Sequence, residues 1–219
     1  MNDTSEYRKL MRYAARLVSL GDMAGALSVY REAIVTDPHC AAAYLKAGML
    51  LQCTGHPEDA TILLERASSL DDGSDADVIA DAPYQSLLAQ AGEYLALGDP
   101  QGAEDTCARA ITMAPQRAEA YYVTAMLHWS QQHPLQAAYA MEKVARLCST
   151  DPLAWNGLGV AYQAAGMVHE AIDAFAQAVV LDPECETAWN SLKEAYLIAG
   201  DTDSAALAQE HCDHCRRKS

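Results

Sequence analysis

The densest group of side chains with ligand or redox chemistry is the segment HCDHC, from His211 to Cys215. On a helix, His211, Cys212 and Cys215 share one face, and the three basic residues at 216–218 favour thiolates over thiols. A structural zinc site usually takes paired ligands from two separated segments, however, and the sequence has no second pair. We therefore interpret the cluster as a frayed polar tail and predict no metal site and no cofactor. The alternative is a metal-binding or redox protein that acts through this cluster.

The acidic segment DDGSDADVIADAP, from Asp71 to Pro83, invites comparison with calcium-binding loops. An EF-hand loop needs oxygen ligands at alternate positions, a glycine at the sixth and a distal glutamate, and no register of this segment supplies them. The sequence also has no nucleophile elbow, phosphate loop or paired catalytic carboxylates. It therefore predicts that the protein is not an enzyme, and residues 71–83 are interpreted as a flexible acidic linker that can act as a hinge.

A third group, Tyr122, Met126 and Trp129, has chemistry suited to binding another protein. The three residues are four and three positions apart, so on a helix they lie on one face. Aromatic and methionine side chains are typical adaptable anchors at protein interfaces. Whether they are free to bind depends on the elements that position them.

Those elements follow from an internal repeat. The segments AWNGLGVAYQAAG, from Ala154 to Gly166, and AWNSLKEAYLIAG, from Ala188 to Gly200, are related by an offset of about 34 residues. Five of the six units have a glycine at one fixed position, and three have a residue-proline pair at another. These are two helix stop signals and predict two helices in each unit. The predicted repeats are 7–40, 41–74, 84–117, 118–151, 152–185 and 186–219, with an acidic insert at 75–83.

The fifth repeat resembles the tetratricopeptide repeat at its signature positions, which are Trp155, Leu158, Gly159, Tyr162, Gly166, Ala171, Phe175, Ala178 and Pro183. The resemblance covers nearly the whole chain and is weakest in the third repeat, where Leu87, Gln90 and Ala91 replace the usual Trp, Leu and Gly. It implies a single all-α domain over residues 1–219, a right-handed α-solenoid of stacked antiparallel helix pairs. Gln209, which stands where Phe175 stands one repeat earlier, predicts a polar C-terminal cap and leads us to expect a complete protein.

The first helix of each repeat carries two stripes of side chains. One stripe must face the partner helix and predicts core positions at Tyr121, Trp155, Tyr162, Trp189 and Tyr196. The resemblance implies that the other stripe, which also runs through Leu45, lines a concave surface, where tetratricopeptide proteins commonly hold an extended or helical peptide. The partner-binding residues predicted there are Met49, Leu88, Tyr122, Met126, Trp129, Asn156 and Asn190. Burial of Leu88 between adjacent helices and ordinary solvation of the asparagines remain open as alternatives.

The charge distribution constrains the kind of partner. The chain has 30 acidic and 15 basic residues, a net charge of −15, and residues 67–108 contain no Lys or Arg. Such a surface repels phosphate backbones, so a nucleic-acid role is not expected, and it favours a protein or peptide partner with basic segments. Arg12 and Lys46 belong to a locally basic N-terminal end, which either meets an acidic group of a ligand or is a solvated face.

The remaining composition bears on the setting. No apolar run approaches the ~20 residues of a membrane helix, and the N-terminus lacks the apolar segment of a signal peptide. Seven cysteines, an odd number, fit reduced thiols. We therefore expect a cytoplasmic protein without membrane insertion, monomeric or weakly homo-oligomeric. Together with the resemblance, this predicts a non-catalytic module that binds a peptide or helix of another protein as adaptor, scaffold or assembly chaperone.

Overall fold

The computed structural model describes residues 3–70 and 76–218. Over these residues the chain forms twelve α-helices and no β-strand, which confirms the predicted all-α solenoid fold, and twelve helices fit about six repeats. Among the same residues, no helix combines the length and the apolar character that crossing a membrane requires. The helices are α1 (Asp3–Ser19), α2 (Met23–Thr36), α3 (Ala41–Cys53), α4 (Pro57–Ser69), α5 (Ala76–Leu97), α6 (Pro100–Met113), α7 (Ala118–Ser130), α8 (Pro134–Leu147), α9 (Pro152–Ala164), α10 (Val168–Leu181), α11 (Glu186–Ala199) and α12 (Thr202–Lys218).

Left-handed backbone geometry ends the odd-numbered helices. In most of these turns the residue with positive φ is a glycine. In the turn after α7, in the fourth predicted repeat, it is Gln132, with a φ of 60°. For a residue with a side chain this geometry costs about 1–2 kcal/mol, which explains why glycine fills the position elsewhere. Among the described residues, the glycines with positive φ are Gly21, Gly55, Gly98, Gly166 and Gly200.

The chain divides into two compact units, and the first is Met1–Leu97. In this unit, consecutive helices from α1 to α5 pack on one another, and α3 also contacts α5. One core cluster joins α1, α2 and α3 around Tyr30, and a second joins α3 and α4 around Leu64. Between α4 and α5, the buried hydroxyls of Thr61 and Ser86 share a hydrogen bond of 2.9 Å, so both polar groups are satisfied.

The second unit is Gly98–Ser219. Here consecutive helices from α6 to α12 pack on one another, and α9 also contacts α11. Phe175 on α10 is fully buried, and Gly159 on α9 faces it. A Cβ atom added at Gly159 would lie 2.5 Å from the Phe175 ring, so the glycine permits the close approach of α9 and α10.

The five aromatic residues predicted as core do pack against the core clusters of the second unit, each with part of its ring at the surface. Three of them also hydrogen-bond to backbone. The indole N–H groups of Trp155 and Trp189 each donate at 2.9 Å to a carbonyl six residues earlier, those of Ser149 and Pro183. The Tyr121 hydroxyl donates at 3.2 Å to the backbone carbonyl of Pro115, which is also six residues earlier. These aromatic residues therefore also hold the turn that precedes their helix.

Residues 76–83 of the acidic segment differ from the flexible linker predicted for them. Residues 71–75 lie outside the described residues, but α5 begins at Ala76 and includes Pro83. Pro83 and Tyr84 are buried, and Ala82 packs against the core cluster of α3 and α4, so tertiary contacts hold this stretch as helix. The division into units, after Leu97, falls inside the third predicted repeat, and the repeat boundaries themselves remain predictions.

Candidate functional site

Three of the predicted binding residues form an exposed apolar surface on α7. Tyr122, Met126 and Trp129 expose 51%, 47% and 46% of their surface. Tyr121 and Ala125 of the same helix instead pack against the core cluster that α7 shares with α8 and α9. Because other residues supply the helix's core contacts, the three exposed side chains are available to contact a ligand. We call them the α7 surface.

The two predicted asparagines lie on neighbouring helices of the same unit, α9 and α11. Oδ1 of Asn156 is buried without a hydrogen-bond partner, an arrangement that costs about 1–3 kcal/mol. The amide of Asn190 is occupied, because its Nδ2 donates to Glu194 Oε1 at 3.1 Å and its Oδ1 accepts from Lys193 Nζ at 2.8 Å. Asn156 is therefore the one of the two with an unsatisfied polar atom.

The predicted binding residues of the first unit differ in exposure. Met49 and Lys46 are exposed on α3, and Leu88 is half-buried on α5. Arg12 is exposed on α1, and its Nε–H donates at 3.2 Å to a backbone carbonyl one turn earlier. Leu45 is only 2% exposed and belongs to the core cluster of α3 and α4, so its assignment to the binding stripe is wrong.

The C-terminal cluster is folded, which contradicts the prediction of a frayed polar tail. Cys212 and Cys215 are buried where α12 packs on α11, and their thiols donate to the backbone carbonyls of Glu186 and Pro183 at 3.8 and 3.7 Å. The ring of His211 stacks on Trp189 with centroids 4.1 Å apart. The cluster thus packs the last helix onto the one before it.

This packing does not favour metal or redox chemistry at the cluster. Burial raises the pKa of the Cys212 thiol, so the basic neighbours do not produce the thiolate that the sequence suggested. Within the described part of the chain, no three His, Cys, Asp or Glu side chains are grouped in a way that could hold a metal ion.

A polar pocket of about 330 Å³ is lined by residues of α8, α9 and α10. In it the Tyr162 hydroxyl donates to Glu142 Oε1 at 2.5 Å, and Arg146 pairs with Glu142 Oε2 at 3.2 Å. Burial, followed by the hydrogen bond to Glu142, raises the pKa of Tyr162. The carboxylate of Glu142 is thus paired within the chain, and a ligand cation would have to compete with Arg146.

The comparisons with known proteins agree with this architecture. Residues 152–185 and residues 88–152 match two tetratricopeptide repeat models. A MamA structure from strain AMB-1 is 21% identical, covers 82% of this chain and 93% of its own, and has a TM-score of 0.58. MamA from Desulfovibrio magneticus RS-1 is 22% identical, covers 82% and 96%, and has a TM-score of 0.56. YrrB, described as a TPR protein with an unusual peptide-binding site, is 19% identical, covers 86% and 92%, and has a TM-score of 0.58.

These structural likenesses establish the fold, and no curated protein matches the chain in sequence. The stacked helix pairs define the chain as an all-α repeat protein of the class that serves as a protein–protein interaction scaffold. The chain is a tetratricopeptide repeat protein. Proteins of this family are generally non-catalytic interaction modules.

Proposed function

We propose that this protein binds a peptide or a helix of another protein, as an adaptor, scaffold or assembly chaperone, with the α7 surface as the main anchor. The observation that carries the proposal is the exposure of Tyr122, Met126 and Trp129 on one face of α7. Exposed aromatic and methionine side chains grouped in this way are typical of binding surfaces, because they bury a large apolar area.

Asn156 supports the proposal with a polar group. Its buried Oδ1 lacks a donor, and an N–H of a ligand backbone would supply one. Binding would then remove the cost of an unsatisfied acceptor as well as bury apolar surface. Asn190 contributes only after its bonds to Glu194 and Lys193 rearrange, so we propose a smaller role for it.

The charge of the chain supports a partner with basic segments. A net charge of −15 steers a cationic ligand toward the protein and disfavours nucleic acid. For the first unit, we propose Met49, Leu88, Arg12 and Lys46 as further contacts. All seven cysteines are free, which fits a reduced, cytoplasmic setting.

The test uses peptides selected on the wild-type protein from a random display library. The affinity of one selected peptide is then measured by calorimetry for the wild type and for Tyr122→Ala, Trp129→Ala and the double variant. Each true anchor contributes about 2 kcal/mol or more, so each single variant should bind at least about 30-fold more weakly. The helical circular dichroism of the variants should match that of the wild type, because neither side chain is buried.

The matched control is Tyr139→Ala, which removes another exposed aromatic side chain of the second unit, on α8. This variant should bind the selected peptide as tightly as the wild type. Equal losses in Tyr139→Ala and Tyr122→Ala would contradict the proposal, since they would reflect a general effect of removing surface aromatics. A large fall in the melting temperature of the Tyr122 and Trp129 variants would contradict it too, because these residues would then belong to the core.

A further inference from the structure

A second pocket, of about 280 Å³, lies in the first unit and is formed entirely by the turn before α4, the first turn of α4, and α5. Its floor and rim differ in character. Gln90 of α5 is 4% exposed and forms the floor. The rim is lined by exposed acidic side chains and by the ring of Tyr94. The acidic residues are Glu58, Asp59 and Glu93.

The floor of the pocket has an unsatisfied acceptor. Oε1 of Gln90 is buried and has no hydrogen-bond partner, which costs about 1–3 kcal/mol. Gln90 stands where the tetratricopeptide signature has leucine, and Leu158 and Leu192 fill that position, buried, two and three repeats later. A leucine at position 90 would remove the unpaired amide oxygen, so the glutamine is a destabilising choice that a bound hydrogen-bond donor would offset.

The rim lacks a cation from the chain itself. Among the residues that line the pocket, only His56 can carry a positive charge, and residues 67–108 contain no Lys or Arg. Glu58 accepts a hydrogen bond from the Tyr94 hydroxyl, at 2.5 Å, which leaves its charge in place. The pocket of the second unit is different, because Arg146 pairs there with Glu142.

We propose that this pocket binds an arginine side chain of a partner protein. A guanidinium group has five N–H donors in a rigid plane, so it can serve the rim carboxylates and the floor amide together. The Tyr94 ring offers a face for the guanidinium, and Pro57 and Leu97 offer apolar surface to its aliphatic stem. The inference rests on the proposed function only in taking the ligand to be part of a protein, since the pocket and the α7 surface lie on different units.

The first experiment titrates the isotope-labelled full chain with Nα-acetyl-arginine amide and follows backbone and side-chain amide resonances. We expect saturable shifts centred on the Gln90 side chain and on the amides of Glu93 and Tyr94. The matched ligand is the citrulline amide, which has nearly the same shape without the charge and should cause no saturable shift. The lysine amide should bind more weakly, because an ammonium group lacks the planar fork of donors.

The second experiment repeats the titration with Gln90→Leu and Glu93→Gln, each of which should weaken binding about tenfold or more, the loss expected for a hydrogen bond to a charged group. Gln90→Leu should keep or raise the melting temperature, since it removes the unpaired amide oxygen. The control is Glu32→Gln, the same change at an exposed position of the same unit outside the pocket, and it should leave the affinity unchanged.

Several outcomes would overturn the assignment. Wild-type affinity in Gln90→Leu would show that the floor amide takes no part, and equal binding of the citrulline amide would remove the role of charge. A lysine amide that binds as tightly as the arginine amide, or displacement of the arginine amide by low calcium concentrations, would indicate a general cation site. The α7 variants should leave this titration unchanged, so its failure and a failure of the proposed function would be distinguishable.

Discussion

At the scale of single residues, burial decides what the C-terminal thiols can do. The Cys212 thiol donates to the carbonyl of Glu186, the first residue of α11, and the Cys215 thiol to that of Pro183, just before the helix. Burial raises the pKa of Cys212. A raised pKa means that the thiol is protonated over a wider pH range in the folded protein than in the unfolded chain. Alkylation needs the thiolate, so the fold protects this residue through both access and charge.

This protection predicts the order of cysteine alkylation. In a short pulse of iodoacetamide at mildly alkaline pH, Cys53, which is exposed, should be labelled first, and Cys107, Cys212 and Cys215, which are buried, last. Mass spectrometry of the peptides gives the rates, and a pulse in denaturant should remove the differences. As the pH rises, the rate for Cys212 should increase at higher pH than for an ordinary thiol. Rapid labelling of Cys212 in the native protein would show that α12 is detached and would revive the redox alternative.

Residue types and helical spacing predict exposure on α7, but they do not predict the burial of Leu45 in the same stripe. Tyr122, Met126 and Trp129 are exposed as the helical spacing predicts, because Tyr121 and Ala125 already supply the core contacts of their helix. Leu45 occupies an equivalent position and is buried, since α3 packs in a different environment around Leu64. One of the two side-chain hydrogen bonds of Asn190 comes from Lys193, which departs from the repeat signature, so no pattern shared by all repeats predicts that bond.

At the scale of helices, the two glycines of α9 differ in whether the side chain that faces them can move aside. An added Cβ at Gly159 would lie 2.5 Å from the fully buried Phe175 ring, whereas at Gly157 it would meet only the terminal methyl of Met141, at 2.8 Å. A terminal methyl moves by rotation about a side-chain bond, but a buried ring has no room to move. Gly159→Ala should therefore lower the free energy of unfolding by about 1–3 kcal/mol. Gly157→Ala should stay within about 1 kcal/mol of the wild type, because alanine also favours the helix.

Chemical denaturation of both variants checks this expectation, and a double-mutant cycle identifies its cause. Replacing Phe175 by Leu removes the ring atoms that the new Cβ would meet. Combining Phe175→Leu with Gly159→Ala should therefore cost less than the sum of the two single changes. Strict additivity would show that the ring is not what Gly159 accommodates.

The start of α5 shows why the sequence predicts a linker where the protein forms a helix. Acidic residues and Pro83 are local signals against a helix, and they are the features visible in the sequence. The contacts that compensate are tertiary, because Pro83 and Tyr84 are buried and Ala82 packs on the cluster of α3 and α4. Repeated helix pairs are predictable from stop signals in each copy, but a helix extended by packing against the preceding pair is not.

At the scale of the whole molecule, the division into two compact units gives each proposed site its own support. The residues of the arginine pocket lie between 55 and 97, and those of the α7 surface between 122 and 129. In repeat proteins, stability is approximately a sum of terms from each repeat and its neighbours, so a compact unit of several helices can be stable by itself. Each site should then depend on the folding of its own unit.

The last prediction tests this separation with the fragment Gly98–Ser219. The fragment contains α6 to α12, with the core around Phe175 and the α7 surface intact. We expect it to show helical circular dichroism, to unfold cooperatively on heating, and to bind the selected peptide within a few-fold of the full-length affinity, because its main anchors are all present. The fragment should not bind the arginine amide, since Gln90 and the rim carboxylates lie outside it. A folded fragment with much weaker peptide binding would assign main anchors to the first unit, and Met49 and Leu88 would be the residues to replace next.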